Sequence, residues 1–462
     1  IVLRLKEDKN MKIIIVGNGK VGLKLATELS EEDYDVILID KDEEKLKYAS
    51  NSLDIFCIAG DGADADVLKQ ADVSNTDLVI ACTSEDELNM LCCLLAKRMG
   101  AKNTIARVRN PVYYKQIHLL KSDLHLSMAV NPEKIVSNEI SRVLLFPDTN
   151  KVEKFVKGKV ELVQFQLKET SILDGVALAE LYQKFQIKIL ICAVKRNEEV
   201  YIPSGDFILR SNDKIYMTAS HYELERFFNA TGKRSHKIQN VLICGGGRVS
   251  FYLAQELINA GMQVKIIELD PSKCERLCEQ LPKATVIHGD ATDHELLLEE
   301  GIENADAVVA LTGMDEENII LSLYAKMKGV SKVVAKINED SRVQMVERLG
   351  IESIVSAKSV TADAILSYVR ARRNSAGNEN VETMYTFLNG KVEAAEFLIK
   401  KESKCTNVPL KDLKIKKNNL IACIVRKGQI IIPGGNDHIE LGDSVIVVTM
   451  NHALNALKDI LL

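Results

Sequence analysis

Between Met11 and Asp40 the chain reads MKIIIVGNGKVGLKLATELSEEDYDVILID, an order of residue types compatible with few folds. Lys12 to Val16 is a β-branched apolar run suited to a strand buried on both faces, and Gly17-Asn18-Gly19-Lys20-Val21-Gly22 follows it directly. Leu23, Ala26, Thr27 and Leu29 then recur at helical spacing, and the next apolar run ends on Asp40. In such an order Gly17 permits the tight turn, Gly19 lets a pyrophosphate approach the backbone, and Gly22 lets the helix close on the strand. The helix N-terminus offers unpaired N–H groups to an anion. Asp40 falls where an acid at the tip of the second strand accepts hydrogen bonds from a ribose diol.

Strand and helix keep alternating beyond this point. Asp54 to Asp61 reads as a third strand ending in Gly-Asp, Thr76 to Thr83 as a fourth, and Asn103 to Val108 as a fifth with Arg107 near its tip, before Pro111 breaks the run. That alternation implies a parallel, doubly wound sheet, in which ligands bind beyond the carboxyl ends of the strands, where Asp40, Asp61, Thr83 and Arg107 gather. The segment Pro132 to Phe146 carries an apolar helical stripe, unusually greasy for a connector, and reads as an interface helix. From Val160 the texture changes to short alternating strands with one short helix, a small α+β module without a glycine-rich loop.

The whole pattern then returns. Gly245 stands to Gly17 as Glu268 stands to Asp40, and after one inserted residue Gly289-Asp290 matches Gly60-Asp61, Thr312 matches Thr83, Asn318 matches Asn89 and Lys336 matches Arg107. A second interface helix follows as Lys358 to Arg373, and Glu393 to Met450 repeats the small module, with Leu420–Val425 against Ile189–Val194. The expected fold class is therefore α/β: two doubly wound Rossmann-like parallel-sheet domains, each followed by a small α+β domain, in tandem duplication. The expected domains are 11–131 and 237–357 for the Rossmann-like parts, 132–150 and 358–380 for the interface helices with their linkers, and 151–232 and 381–462 for the small modules. The opening IVLRLKEDKN reads as an upstream extension, with Met11 as the natural start.

Composition narrows the function classes. A net charge of -5 gives no electrostatic footprint for nucleic acid or anionic lipid, and no apolar run approaches the roughly 18–20 residues a membrane helix needs. The ten cysteines form no CxxC pair, which suits a reduced, cytosolic interior. Cys274 and Cys278 share a helix face, but without a histidine or further thiol at ligand spacing they read as ordinary packing, and no metal site is expected. The eight histidines form no repeated pair, so no catalytic residue is assigned. A genuine NAD-dependent oxidoreductase remains the competing class, because fold alone does not exclude one.

The doubled order of GNGKVG, LID, GD, the strand-four threonine and ARVRNP resembles the regulator of potassium conductance (RCK, or KTN) family, and two tandem units in one chain resemble those of its members that serve Trk-type potassium uptake. The resemblance covers almost all of residues 11–462. It implies a cytoplasmic, non-enzymatic regulatory subunit, peripheral to the inner face of the cell membrane. Such subunits assemble as a homo-oligomeric ring, a tetramer of tandem units, beneath a TrkH-like membrane potassium transporter subunit. It also implies that NAD(H), ATP or ADP binds the Rossmann halves and changes the angle between modules through the interface helices, and that the small modules pair; in some relatives they bind ligands such as cyclic di-AMP. A nucleotide sensor without a membrane partner would share every assigned residue.

Carried over by position, Gly17, Asn18, Gly19, Lys20, Val21 and Gly22 form a phosphate cradle, Asp40 with Lys41 beside it holds the ribose, Asp61 and Thr83 line the base and sugar side, and Arg107 reaches a phosphate. Gly245, Gly247, Arg248, Val249, Glu268, Asp290, Thr312 and Lys336 take the same places in the second half, where the third glycine has become Ser250. Arg248 reads equally as a phosphate contact or a solvated arginine, and Asp61 equally as a ligand contact or a turn residue. Both Asp40 and Glu268 would repel a 2′-phosphate, which disfavours NADP.

Overall fold

The computed structural model describes residues 11–145, 151–155, 160–167, 171–230, 238–351, 353–375, 380–388, 390–450, 454 and 456–462. The opening extension, Phe146 with the rest of the first expected linker, and most of the expected domain junctions lie outside the described residues.

The first sheet is built from β1 (Lys12–Val16), β2 (Asp35–Asp40), β3 (Phe56–Ala59), β4 (Leu78–Ala81), β5 (Asn103–Arg107) and β6 (Met128–Val130), in the order β3-β2-β1-β4-β5-β6. Every pairing is parallel. Ile13, Ile14 and Ile15 of β1 are fully buried, as a central parallel strand covered on both faces requires. One core packs Ile14, Ile37, Ile39 and Val79 against Leu68 and against Cys92, Cys93 and Ala96 of the helix Asp86–Arg98. The chain order reverses at β1, between β2 and β4, so a crevice opens at the carboxyl end of β1. The sixth strand is an addition to the five read from sequence, because three residues carry too little periodicity to declare a strand.

The first small module is a five-stranded antiparallel sheet of β7 (Lys151–Phe155), β8 (Val160–Gln166), β9 (Leu190–Arg196), β10 (Glu199–Tyr201) and β11 (Lys214–Ala219), ordered β10-β9-β11-β8-β7. The helix His221–Ala230 places Leu224, Phe227 and Phe228 against Phe165 and Met217.

The second half repeats both parts. A parallel sheet of β12 (Asn240–Cys244), β13 (Gln263–Glu268), β14 (Thr285–His288), β15 (Ala307–Ala310), β16 (Lys332–Lys336) and β17 (Ser353–Val355) has the order β14-β13-β12-β15-β16-β17. It is followed by β18 (Asn380–Phe387), β19 (Val392–Leu398), β20 (Asn419–Arg426), β21 (Gln429–Ile431) and β22 (Ser444–Thr449), ordered β18-β19-β22-β20-β21. The duplication extends to an irregularity: the pairing of β11 with β9 slips at Tyr216/Met217, and that of β22 with β20 slips at Ile421/Cys423.

The two small modules share a core within the chain. Val160, Leu162, Cys192 and Tyr216 of the first pack with Phe387, Ala394, Cys423 and Val448 of the second, and the rings of Tyr216 and Phe387 lie 4.9 Å apart. The connecting helices form over Pro132–Leu145 and Ala357–Ser375, close to the bounds read from their stripes. Val136, Ile140, Val143 and Leu144 are buried within the chain, as are Ile365, Leu366 and Val369.

Candidate functional site

The glycine loop of the first unit is held open from both sides. Gly17 turns at φ +105°, and its N–H donates to the Ile39 carbonyl at 2.8 Å, tying the loop to β2. A β-carbon on Gly17 would lie 2.9 Å from the Thr83 nitrogen, so only glycine fits there. Asp40 braces the next step: Oδ2 accepts the Asn18 N–H at 2.5 Å and Oδ1 the Asp42 N–H at 2.9 Å. Each oxygen keeps a further lone pair for a ligand hydroxyl. The Asn18 side chain donates to the Lys45 carbonyl at 2.9 Å. Gly19 caps the helix Lys20–Glu31 without a side-chain hydrogen bond, and a β-carbon on it would meet nothing within 4 Å. That open ground over free N–H groups is the cradle a phosphate needs. Val21 points into the core, while Lys20 is exposed with its ammonium 3.6 Å from Glu339.

The other strand ends complete the crevice. Lys41, directly after the acid, pairs with Asp61 at 3.0 Å. Asp61 also accepts the Ala63 N–H at 3.0 Å, and this bond first, then Lys41, holds its carboxyl below the usual range. The N-cap of the following helix is Asp64, so Asp61 is a turn residue rather than a cap. Thr83 gives both its N–H and its hydroxyl to Asn89 Oδ1, at 2.8 Å each. Arg107 donates to the Thr83 carbonyl, and Asn89 Nδ2 returns a bond to the Arg107 carbonyl at 3.0 Å.

Arg107 is half-buried, burial foremost lowers its pKa, and its Nε is enclosed without a partner. None of the described carboxylates forms an ion pair with it. A desolvated guanidinium with an idle donor at a strand tip suits an anionic ligand. Around it Asp86 Oδ2 accepts the N–H groups of Arg109 and Asn110, at 2.9 and 2.7 Å, and Arg109 Nε donates to Glu133 at 2.7 Å. Sequence reasoning passed over Asp86, Arg109 and Glu133. The available signal was Asp86 and Asn89 three residues apart on the buried face of an apolar helix.

The second unit reaches the same arrangement by different means. Glu268 Oε2 accepts the Gly246 N–H at 2.6 Å and Oε1 the Asp270 N–H at 2.9 Å, so the longer acid also bridges loop and strand end. It lies deeper, only 7% exposed, with Lys273 at 3.6 Å. Gly246 stands where the first loop has Asn18, and a β-carbon on it would come within 2.9 Å of Glu268 Cβ. The bulkier acid and the smaller loop residue fit each other, and the sequence reading did not single out Gly246. Gly245 turns at φ +104°, and Gly247 is as open as Gly19. Ser250 is buried and its hydroxyl donates to the Gly245 carbonyl. Val249 is half-buried, and Arg248 is exposed.

Thr312 repeats the bonds to Asn318, at 2.9 Å from N–H and 3.0 Å from hydroxyl. Asp290 accepts both the N–H and the hydroxyl of Thr292, and these bonds, the N–H first, lower its pKa. Lys336 ends β16.

Among the described residues no three His, Cys, Asp or Glu side chains stand together as a metal group, and no helix is long and apolar enough to cross a membrane. Cys274 is buried and Cys278 exposed, so the two thiols face different surroundings.

Comparison with known proteins agrees with this architecture. The TrkA-N domain family matches residues 13–132 and 241–357, and the TrkA-C domain family matches residues 162–232 and 394–462. The Trk system potassium uptake protein TrkA homolog 1 of Methanosarcina mazei is 33% identical over 97% of this chain and 99% of its own length. The TrkA homolog of Archaeoglobus fulgidus is 32% identical over 97% of this chain and all of its own. The TrkA of Halomonas elongata is 30% identical over 96% of both. Among solved structures, the GsuK RCK domain covers 96% of this chain and 93% of its own at a TM-score of 0.62 and 19% identity. The GsuK channel bound to NAD covers 96% and 78% at a TM-score of 0.64 and 18% identity. At that identity the likeness establishes the fold.

Proposed function

We propose a function from one premise: this chain belongs to the TrkA family of Trk system potassium uptake proteins, whose TrkA-N and TrkA-C domains it carries twice. It is a regulatory subunit of potassium transport. Its two Rossmann units bind adenine nucleotides, NAD(H) or ATP and ADP, and binding biases the conformation of an assembly that acts on a membrane potassium transporter of the TrkH type. The expected assembly is a tetramer ring on the cytoplasmic side of the membrane.

The observation that carries the nucleotide reading is the doubled brace: in each unit a strand-end acid grips the glycine loop by a backbone N–H, leaving an open, N–H-rich surface at Gly19 and Gly247. Gly17, Asn18, Gly19, Lys20, Val21 and Gly22 would hold a pyrophosphate or polyphosphate, Asp40 the ribose, Lys41, Asp61 and Thr83 the sugar and base side, and Arg107 a phosphate oxygen. In the second unit Gly245, Gly247, Arg248, Val249, Glu268, Asp290, Thr312 and Lys336 would do the same. No hydride acceptor is assigned, and a bound nucleotide acts here only through its binding energy. Its effect on the assembly equals its differential affinity for two conformations.

Thermal unfolding with ATP, ADP, NAD⁺ and NADH tests this on wild type, Asp40→Ala and Glu268→Ala. A ligand at roughly 100 times its Kd should stabilise the chain by about 2.7 kcal/mol, and each substitution should remove a distinct part. Flat melting curves with all four ligands would overturn the reading. Reconstitution with a TrkH-type subunit and light scattering test partner and tetramer separately.

A further inference from the structure

The two candidate sites share their phosphate loops and acids but differ at the lips of the crevice. One lip is the residue that follows the acid; the other is the last residue before the helix beyond the central strand's other neighbour. In the first unit these are Lys41 and Glu85, both charged and exposed. In the second they are Leu269 and Met314, which are 64% and 54% exposed.

A single wet leucine needs no explanation. Two large apolar side chains flanking one switch point, each replacing a charge in an otherwise matched copy, form a pattern that the repeat itself controls for. The surroundings change with them. Lys41 is drawn onto Asp61, closing the first lip with an ion pair, whereas Asp290 is satisfied by Thr292, and the His288 ring meets the Leu269 carbonyl at 3.1 Å while the Leu269 side chain stays exposed. Conversely, the first unit holds Arg107 with its idle, buried Nε. Flat, weakly polar purine faces gain most from apolar walls, and methionine adapts its shape to them.

We propose that the second Rossmann unit selects its nucleotide by the purine base, gripped between Leu269 and Met314, while the first selects by phosphate charge through Arg107. This rests on the nucleotide-binding reading above. The first site therefore weakens more with added salt than the second.

The full chain tests this once each site is silenced in turn. Gly19→Val or Gly247→Val places a side chain where a β-carbon meets no protein atom but a phosphate must come. With ADP as probe in isothermal titration, L269K combined with M314E in the Gly19→Val background should weaken binding about tenfold, the loss expected when two apolar walls are removed. In the Gly247→Val background, raising KCl should weaken ADP binding more than in the Gly19→Val background, and Arg107→Gln should reduce that salt dependence. ADP affinity unchanged by L269K/M314E, with the Gly19→Val parent still binding, would overturn the proposal. Loss of all ADP binding in wild type would instead overturn the nucleotide reading and this proposal with it.

Discussion

Gly22 packs so closely under Gly17 that a β-carbon on it would lie 1.8 Å from the Gly17 carbonyl oxygen. At the matching place in the second loop Ser250 is accommodated, and its hydroxyl bonds to the Gly245 carbonyl instead of colliding with it. The two loops thus meet one requirement, a helix seated against a tight turn, through close contact in one and a hydrogen bond in the other. Gly22→Ala should cost about 1–3 kcal/mol by overpacking and remove nucleotide binding at the first site. Ser250→Ala should cost about 1 kcal/mol for one lost hydrogen bond and keep the second loop intact. Urea midpoints paired with calorimetric titration separate the two outcomes, and equal costs would show that the loops are seated alike.

The pairing of Gly246 with Glu268 makes a second prediction, because the first unit solves the same problem with Asn18 and Asp40. Gly246→Asn puts a β-carbon 2.7 Å from Leu277 Cδ1 and 2.9 Å from both Cβ and Oε2 of Glu268, and should destabilise by about 1–3 kcal/mol. Adding Glu268→Asp relieves only the carboxylate contact, since aspartate keeps the Cβ and Leu277 is untouched, and should recover part of that loss. A double-mutant cycle in urea measures the coupling, expected at about 0.5–3 kcal/mol for residues in contact. Additive effects would mean that loop residue and acid are independent.

These pairs also mark the limit of what the sequence could disclose. Strand, loop, helix and terminal acid were legible because their spacing is local, and the duplication gave every assignment a second reading. Arg107 ends β5 and Thr83 follows the end of β4, at the sheet edge where parallel strands end. Their link through Asn89 was not foreseen, although Asn318 had been matched to Asn89, since a hydrogen bond between two strand tips and a helix has no signature in spacing. The short strands β6 and β10 went unread for want of periodicity; β6 pairs with β5 from across the intervening helix, whereas β10 is a local hairpin off β9 that turns at Asn197-Glu198. Gly246 was overlooked because the middle glycine of a run of three looks redundant until the length of Glu268 is set beside it.

Asp61 gives a pH prediction whose sign follows from its depressed pKa. The group binds protons less readily folded than unfolded, so its contribution to stability is complete above the ordinary carboxylate range near pH ~4 and is lost as pH falls through the lowered value. The Ala63 N–H is the larger cause and Lys41 the next. A carboxyl-carbon NMR titration of Lys41→Leu should therefore show the Asp61 midpoint rising part of the way toward the ordinary value. A return all the way would make Lys41 the dominant cause, and no movement would mean that the ion pair is absent in solution.

The small modules carry a buried ion pair in duplicate, and it should behave alike in both. Arg196 at the end of β9 meets Asp213 through Nε and Nη2, each at 2.8 Å, while Asp213 also accepts the Arg210 N–H and is wholly enclosed. Arg426 at the end of β20 grips Asp443 through Nε at 3.0 Å and Nη2 at 2.9 Å, and Asp443 accepts the Glu440 N–H. In both, the arginine also reaches a carbonyl in the following loop, of Ile208 or of His438, so one side chain pins the loop before the last strand to the middle of the sheet. Removing the arginine strands a carboxylate away from water, whereas replacing both partners does not. Arg196→Met and Arg426→Met should each destabilise the chain by roughly 3 kcal/mol, at the low end for a broken buried pair because each arginine keeps a partly wet edge. Adding Asp213→Leu to the first, or Asp443→Leu to the second, should restore much of the loss. Urea unfolding of the four variants decides the point: single arginine losses below about 1 kcal/mol would reclassify both pairs as surface bridges of little weight.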